Sequence, residues 1–118
     1  MPYLQFMVNI QVPNETEFAL ELSKHGAKTL NKPDALMSVS VTYNKTLTFA
    51  GTLEPAFALT VISLDNLNTE ENERYSVAFS KFIEEKLNIP SDRGYITFQD
   101  PGRGFSGFKG TTFATIFA

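Results

Sequence analysis

At 118 residues, with 42% apolar and 19% charged side chains, the chain is long enough for one core and too short for two ordinary domains, so it reads as a single globular domain over residues 1–118. Ten basic against thirteen acidic side chains leave a net charge of -3, which gives no electrostatic footprint for nucleic acid and little pull toward a membrane surface. With no cysteine, disulfides, thiolate metal sites and thiol nucleophiles are excluded, and any catalysis needs another base or nucleophile.

Leu4, Phe6, Val8, Ile10 and Val12 alternate with Gln5, Asn9 and Gln11, which predicts a strand with one apolar face ended by Pro13. Asn14 and Glu17 fit a helix-capping pair, the Asn14 side chain accepting a backbone N–H and Glu17 reaching back. Phe18, Ala19, Leu22, Gly26 and Leu30 then recur at helical spacing until Asn31-Lys32-Pro33 stops the pattern, because proline disfavours helical backbone in the residue before it. Met37, Val39, Val41 and Tyr43 alternate with Ser38, Ser40 and Thr42, a second strand that a helical crossover lays parallel to the first.

After Leu47-Thr48-Phe49 and the turn residues Gly51 and Pro55, the same order begins again. Phe57 to Leu64 is nearly all apolar and reads as a strand covered on both faces. Thr69, Glu70 and Glu71 open a second helix with a capping side chain and two acids at its positive end. Tyr75, Ala78, Phe79, Phe82, Ile83 and Leu87 form its apolar stripe. Pro90 and Asp92 lead into a last strand, Tyr95 to Gln99, with Ile96 and Phe98 on one face. The chain is therefore an α+β fold of two βαβ repeats, offset by about 54 residues when Tyr3 is matched with Phe57, forming a four-stranded sheet with two helices on one face. A two-sided apolar strand in a sheet covered on one face leaves a greasy surface, which predicts an oligomer. The tail from Pro101 to Ala118, with four glycines and four phenylalanines, is too apolar for a linker and too irregular for a helix. It is expected to pack on a neighbour as short strands.

No run of about 18 apolar residues and no signal-peptide pattern opens the chain, so the default address is cytoplasmic. Pro2 stands behind the initiator methionine, and trimming of Met1 frees a secondary amine. An ordinary α-amino group has a pKa of about 7.7–8.0, so roughly a tenth is neutral at pH 7. Burial or a nearby Lys lowers that value and makes such an amine a usable general base. Lys32 reads either as a solvated cation at a helix C-terminus or as a carboxylate anchor that depresses a neighbouring amine. Tyr95 is either a plain sheet residue or a hydroxyl donor to a substrate oxygen. The lone His25 has no partner at ligand spacing and reads as structural, leaving no metal site. Glu70, Glu71, Glu73, Glu84 and Glu85 read as solvated charge on the outer face of the second helix. Gly102 and Gly107 have the Walker spacing, but Phe108 stands where lysine is required, so a nucleotide phosphate loop is rejected. Arg103, Phe105, Phe108 and Lys109 offer stacking for single-stranded bases, but two cations in an acidic domain make a weak funnel.

Met1-Pro2, Asn31-Lys32-Pro33, Phe49-Ala50-Gly51 with Glu54-Pro55, Ser63-Leu64, Asp92-Arg93-Gly94-Tyr95-Ile96 and Thr111-Thr112-Phe113-Ala114, in that order and spacing, resemble the macrophage migration inhibitory factor family of the tautomerase superfamily over nearly the whole chain. The resemblance implies a homotrimer with three active sites at subunit interfaces, working without a cofactor. It implies Pro2 as catalytic base, Lys32 and the Leu64 backbone N–H as anchors, Tyr95 reaching in from the adjacent subunit, and Phe108 and Phe113 as apolar walls. Thr97 takes a substrate-lining position where asparagine often sits, Leu36 one where an aromatic residue is common, and Phe108 one where tryptophan is frequent. The Cys-x-x-Cys segment of some members is replaced around Ala56 to Leu59, so thiol redox activity is absent from the expectation. Thr115 to Ala118 extends past the usual animal end. The implied activity is an isomerase moving a proton between carbon and oxygen in a small aromatic 2-oxo acid or a dopachrome-like compound. The rival is a cytokine-like, secreted interaction protein that binds a receptor and keeps the pocket as an inherited feature. Related proteins are exported without a signal peptide.

Overall fold

A computed structural model describes residues 1–118. Strand β1 (Pro2–Val8), helix α1 (Glu15–Leu30) and strand β2 (Ser38–Tyr43) are followed in the same order by β3 (Phe57–Ser63), α2 (Thr69–Leu87) and β4 (Gly94–Gln99). The sheet order is β2-β1-β3-β4. β1 pairs parallel with β2 and β3 parallel with β4, while β1 and β3 meet antiparallel at the centre. The twofold repeat of βαβ units read from the sequence is the fold.

Leu4, Phe6 and Val8 of β1 and Phe57, Leu59 and Val61 of β3 face the helices, which bury Phe18, Leu22 and Leu30 of α1 and Tyr75, Phe79, Phe82 and Ile83 of α2 against them. Each of these side chains contributes roughly 1.5–3 kcal/mol through burial. Gly26 lets α1 approach the sheet, since a Cβ there would lie 2.8 Å from Leu4 Cδ1. His25 is half-buried, its ring centroid 4.6 Å from that of Phe82, and burial pushes its pKa below the usual 6.5. It is packing, as the sequence suggested. No helix is long and apolar enough to cross a membrane.

Several details differ from the sequence expectations. β1 ends at Val8 rather than Val12, because Asn9 turns its side chain to the 47–56 loop and donates to the Leu47 carbonyl at 3.0 Å. Glu17 does reach back, but to the Asn14 side-chain amide at 2.7 Å rather than to backbone. The α2 cap is Asn68, which accepts the Glu71 N–H at 2.8 Å, with Thr69 already helical. β3 is covered on one face only: Ala58, Thr60 and Ile62 are half-exposed. The uncovered face mixes the apolar Tyr3, Met7 and Ile62 with the polar Gln5, Ser40, Thr42 and Thr97, so it is partly apolar, while the largest buried side chains point at the helices. The tail does form short strands, β5 (Gly107–Phe108) pairing with β6 (Thr111–Thr112), and adds one helical turn over Phe113–Ile116, α3.

Gly94 opens β4 where there is no room for a side chain. A Cβ at that position would sit 2.5–2.6 Å from three ring carbons of Phe57, and Phe57 is fully buried and stacked on Phe6 at 6.0 Å. Gly94→Ala is expected to cost about 1–3 kcal/mol, the usual penalty of overpacking. Urea denaturation checks this, and an unchanged midpoint would mean that Phe57 moves aside freely.

Candidate active site

Pro2 begins β1 opposite Ser63 and is fully buried. A strand's first residue suits proline, which has no N–H to give to the ladder. The turn that follows Ser63 is fixed by a polar hub. The Ser63 hydroxyl donates to Asn66 Oδ1 at 2.6 Å, the Asn66 amide donates to the Leu30 carbonyl at 3.1 Å, and the Tyr75 hydroxyl donates to the Asn66 carbonyl at 2.9 Å. These bonds tie the ends of β3 and α1 to the first turns of α2, and they hold the buried Leu64 beside the start of β1.

Lys32 is delivered to the same place by the end of α1. Asn31 takes the left-handed conformation at φ 54°, and the Lys32 N–H closes onto the Ala27 carbonyl at 2.9 Å, a Schellman-type stop. The Lys32 ammonium then donates to the Leu64 carbonyl at 3.4 Å. Burial, and secondly the Lys32 charge, push the terminal amine of Met1 below its ordinary 8.0. With Met1 in place the Pro2 nitrogen belongs to a peptide bond and cannot take a proton.

A cavity of about 290 Å³ opens beside Met1 and Pro2, walled by Leu36, Ser106, Phe108 and Phe113 among others. The β5–β6 hairpin builds this wall: the Phe108 and Phe113 rings stack within 4° of parallel at 5.8 Å, and the Phe113 N–H donates to the Ser106 carbonyl at 3.1 Å. The Ser106 hydroxyl donates to the Met1 sulfur at 3.0 Å, a contact no sequence pattern announced. The volume is at the low end of the roughly 300–1,000 Å³ of small-molecule pockets, which suits a single-ring ligand. No cluster of three His, Asp or Glu side chains gathers to hold a metal.

The site residues do not all meet. Tyr95 pairs with Ala58 and Thr97 with Thr60, whereas Pro2 pairs with Ser63. Five residues of β3 separate Tyr95 from Pro2, about 16 Å at some 3.3 Å per residue. Tyr95 is 74% exposed and its ring touches Phe49 at 5.1 Å. Within one chain, then, Pro2, Lys32, Leu64, Phe108 and Phe113 gather at one end of the sheet, and Tyr95 and Thr97 lie toward the other.

A family model described as macrophage migration inhibitory factor matches residues 1–114. The chain belongs to the macrophage migration inhibitory factor family. It is 32% identical over 114 residues to a macrophage migration inhibitory factor homolog of Trichuris trichiura, covering 96% of this chain and all of that one. Against the macrophage migration inhibitory factor of Rattus norvegicus it is 30% identical over 112 residues, covering 92% and 97%. Among solved structures, the macrophage migration inhibitory factor of Trichinella spiralis superposes with a TM-score of 0.87 at 28% identity over 94% of this chain and 99% of that one. The homologue from Prochlorococcus marinus gives 0.86 at 28% identity, covering 94% and 98%. Membership of the macrophage migration inhibitory factor family places the chain in the tautomerase superfamily, a group of isomerases. The family match ends at Ala114. The four residues beyond it carry Phe117, which packs on Phe113 at 5.4 Å and lies under the Arg103 guanidinium at 5.0 Å.

Proposed function

We propose that this chain is a keto-enol tautomerase of small aromatic 2-oxo acids such as phenylpyruvate, or of dopachrome-like compounds, assembled as a homotrimer and using Pro2 as its general base. The observation that carries the reading is the position of Pro2: buried at the head of β1, against an apolar cavity, directly after a Met1 terminal amine whose pKa burial and then Lys32 both lower. Once Met1 is removed, the proline nitrogen takes over that environment one residue deeper.

Lowering an amine's pKa enlarges its neutral fraction at pH 7, and the neutral form is the base. The Pro2 nitrogen takes the proton from the carbon beside the substrate carbonyl, and the electron pair moves into the carbonyl oxygen. That oxygen is steadied by hydrogen-bond donors and picks up a proton from water or from the Tyr95 hydroxyl of an adjacent subunit. Lys32 and the Leu64 backbone N–H hold the substrate carboxylate, and Phe108 and Phe113 flank its ring. Thr97 lies on the same strand face as Tyr95 and enters a neighbour's site with it. The half-exposed sheet face and the exposed Tyr95 supply the surfaces that such an assembly covers. No step needs a cofactor.

Lys32→Ala tests the anchor. A charge-assisted hydrogen bond is worth about 1.5–3 kcal/mol, so KM for phenylpyruvate is expected to rise roughly 10- to 100-fold. Because Lys32 depresses the amine, its loss also moves the acid limb of the rate profile to higher pH: turnover rises as pH passes the amine's pKa, and that pKa climbs. An unchanged KM together with an unchanged profile would remove Lys32 from the site.

A further inference from the structure

We propose that Arg93 is a positioning residue for the neighbouring subunit's reaction, clamping the 47–56 loop so that Phe49 backs the Tyr95 ring in the one orientation that enters the next subunit's site. The inference rests on the shared-site reading given above. Residues 44–56 contain no strand beyond an isolated bridge between Phe49 and Thr52, which is closed through Ala50 at φ 53° and Gly51 at φ 74°. A connection of this kind is ordinarily among the least stable parts of a domain. Here two side chains hold it. The Arg93 guanidinium donates to the carbonyls of Glu54 at 2.8 Å, Phe49 at 3.1 Å and Pro55 at 3.2 Å, and to the Thr52 hydroxyl at 3.0 Å. Asn9 donates to the Leu47, Leu53 and Glu54 carbonyls and accepts the Ala56 N–H at 2.8 Å.

All four acceptors around Arg93 are neutral, and the three ion pairs of the chain lie elsewhere. Its charge is thus spent on fixing backbone carbonyls, a task that needs the planar fork of five donors and that a lysine ammonium cannot reproduce. The guanidinium also lies 5.2 Å from the Phe49 ring centroid, and Phe49 in turn lies 5.1 Å from Tyr95. Arg93, Phe49 and Tyr95 form a stack whose last member is mostly solvent-exposed within its own chain. Phe49 is the aromatic ring that backs Tyr95, so loosening the loop frees the Tyr95 rotamer. It leaves Pro2 of the same chain, at the far end of the sheet, undisturbed.

Directional mixing tests this. Met1-trimmed subunits carrying Pro2→Gly supply Tyr95 but no base, and subunits carrying Tyr95→Ala supply the base but no hydroxyl, so co-refolded mixtures contain hybrid sites. Arg93→Lys keeps the charge and loses the fork. Placed in the Pro2→Gly subunit, it is expected to lower kcat of the hybrid site about tenfold, the scale of a misplaced reacting group, with KM little changed. Placed in the Tyr95→Ala subunit, it is expected to leave kcat within about twofold, since that subunit's Tyr95 side is not used. Equal losses in the two arrangements would mean a general structural role and overturn the proposal, as would no loss in either. If Tyr95→Ala alone keeps full turnover, the shared site itself fails and the proposal goes with it. If Tyr95→Ala is impaired and the Arg93→Lys effect lacks direction, only the proposal fails.

Discussion

Replacing Pro2 with glycine is expected to leave the fold and assembly intact while cutting phenylpyruvate turnover about a hundredfold or more, the scale of a lost general base. Trimmed glycine still ends in an amine, so the loss comes from placement and environment. The pyrrolidine ring ties the nitrogen to the side chain, which fixes the direction of its lone pair, and it fills a fully buried position opposite Ser63, whereas glycine leaves its nitrogen free to swing into solvent and lets water into the site. The position lies at the end of β1 and outside the main apolar cluster, so stability is expected to change little. Circular dichroism and thermal melting beside the steady-state assay separate the two effects. Unchanged turnover in a folded Pro2→Gly protein would remove proline from the mechanism.

Removing the Tyr95 side chain is expected to be nearly as damaging. A lost donor to a developing oxyanion costs roughly a hundredfold or more in kcat, and Tyr95→Phe, which keeps the ring and its contact with Phe49, separates the hydroxyl from the packing. The geometry makes a sharper prediction. Because Tyr95 and Pro2 sit about 16 Å apart along β3, the proposed site takes them from different subunits. Pro2→Gly and Tyr95→Ala proteins, each nearly inactive alone, are therefore expected to recover about one quarter of wild-type turnover when mixed at random in a cyclic assembly. In such mixtures that fraction of interfaces pairs an intact Pro2 with an intact Tyr95. A mixture no better than its components would contradict a site built across an interface.

The fold was largely legible because its pattern is local. The alternation in β1 and β2 and the stripe from Tyr75 to Leu87 each report which face meets the core, and twice-repeated strand, helix and strand leaves few topologies. What was not legible depended on partners distant in the sequence. Asn9 continues the alternation of β1 yet leaves the strand, because its amide finds carbonyls some forty residues away. The apolar run of β3 suggested two covered faces; within one chain Ala58, Thr60 and Ile62 remain half-exposed, and this is the face that the proposed assembly would cover. The tail has no periodicity to read, being three short pieces held by bonds such as that from the Phe113 N–H to the Ser106 carbonyl.

The candidate site was legible in a different way. The Met1-Pro2 opening and the Asn31-Lys32-Pro33 stop named two of its members, since an amine and a cation have recognisable chemistry. Their convergence needed the turn after Ser63, and the Asn66 hub that fixes it gave no sequence signal. Arg93 entered the sequence reading only within the Asp92-Arg93-Gly94-Tyr95-Ile96 segment, and its four neutral acceptors are what point to a positioning role.

The most direct test is to separate Met1-trimmed from Met1-retaining protein, verify each by intact mass, and assay both for phenylpyruvate tautomerisation at pH 7. Turnover confined to the trimmed form is the expected result, because only there is the Pro2 nitrogen an amine. Equal turnover in both forms, or none in the trimmed one, would contradict Pro2 as the base.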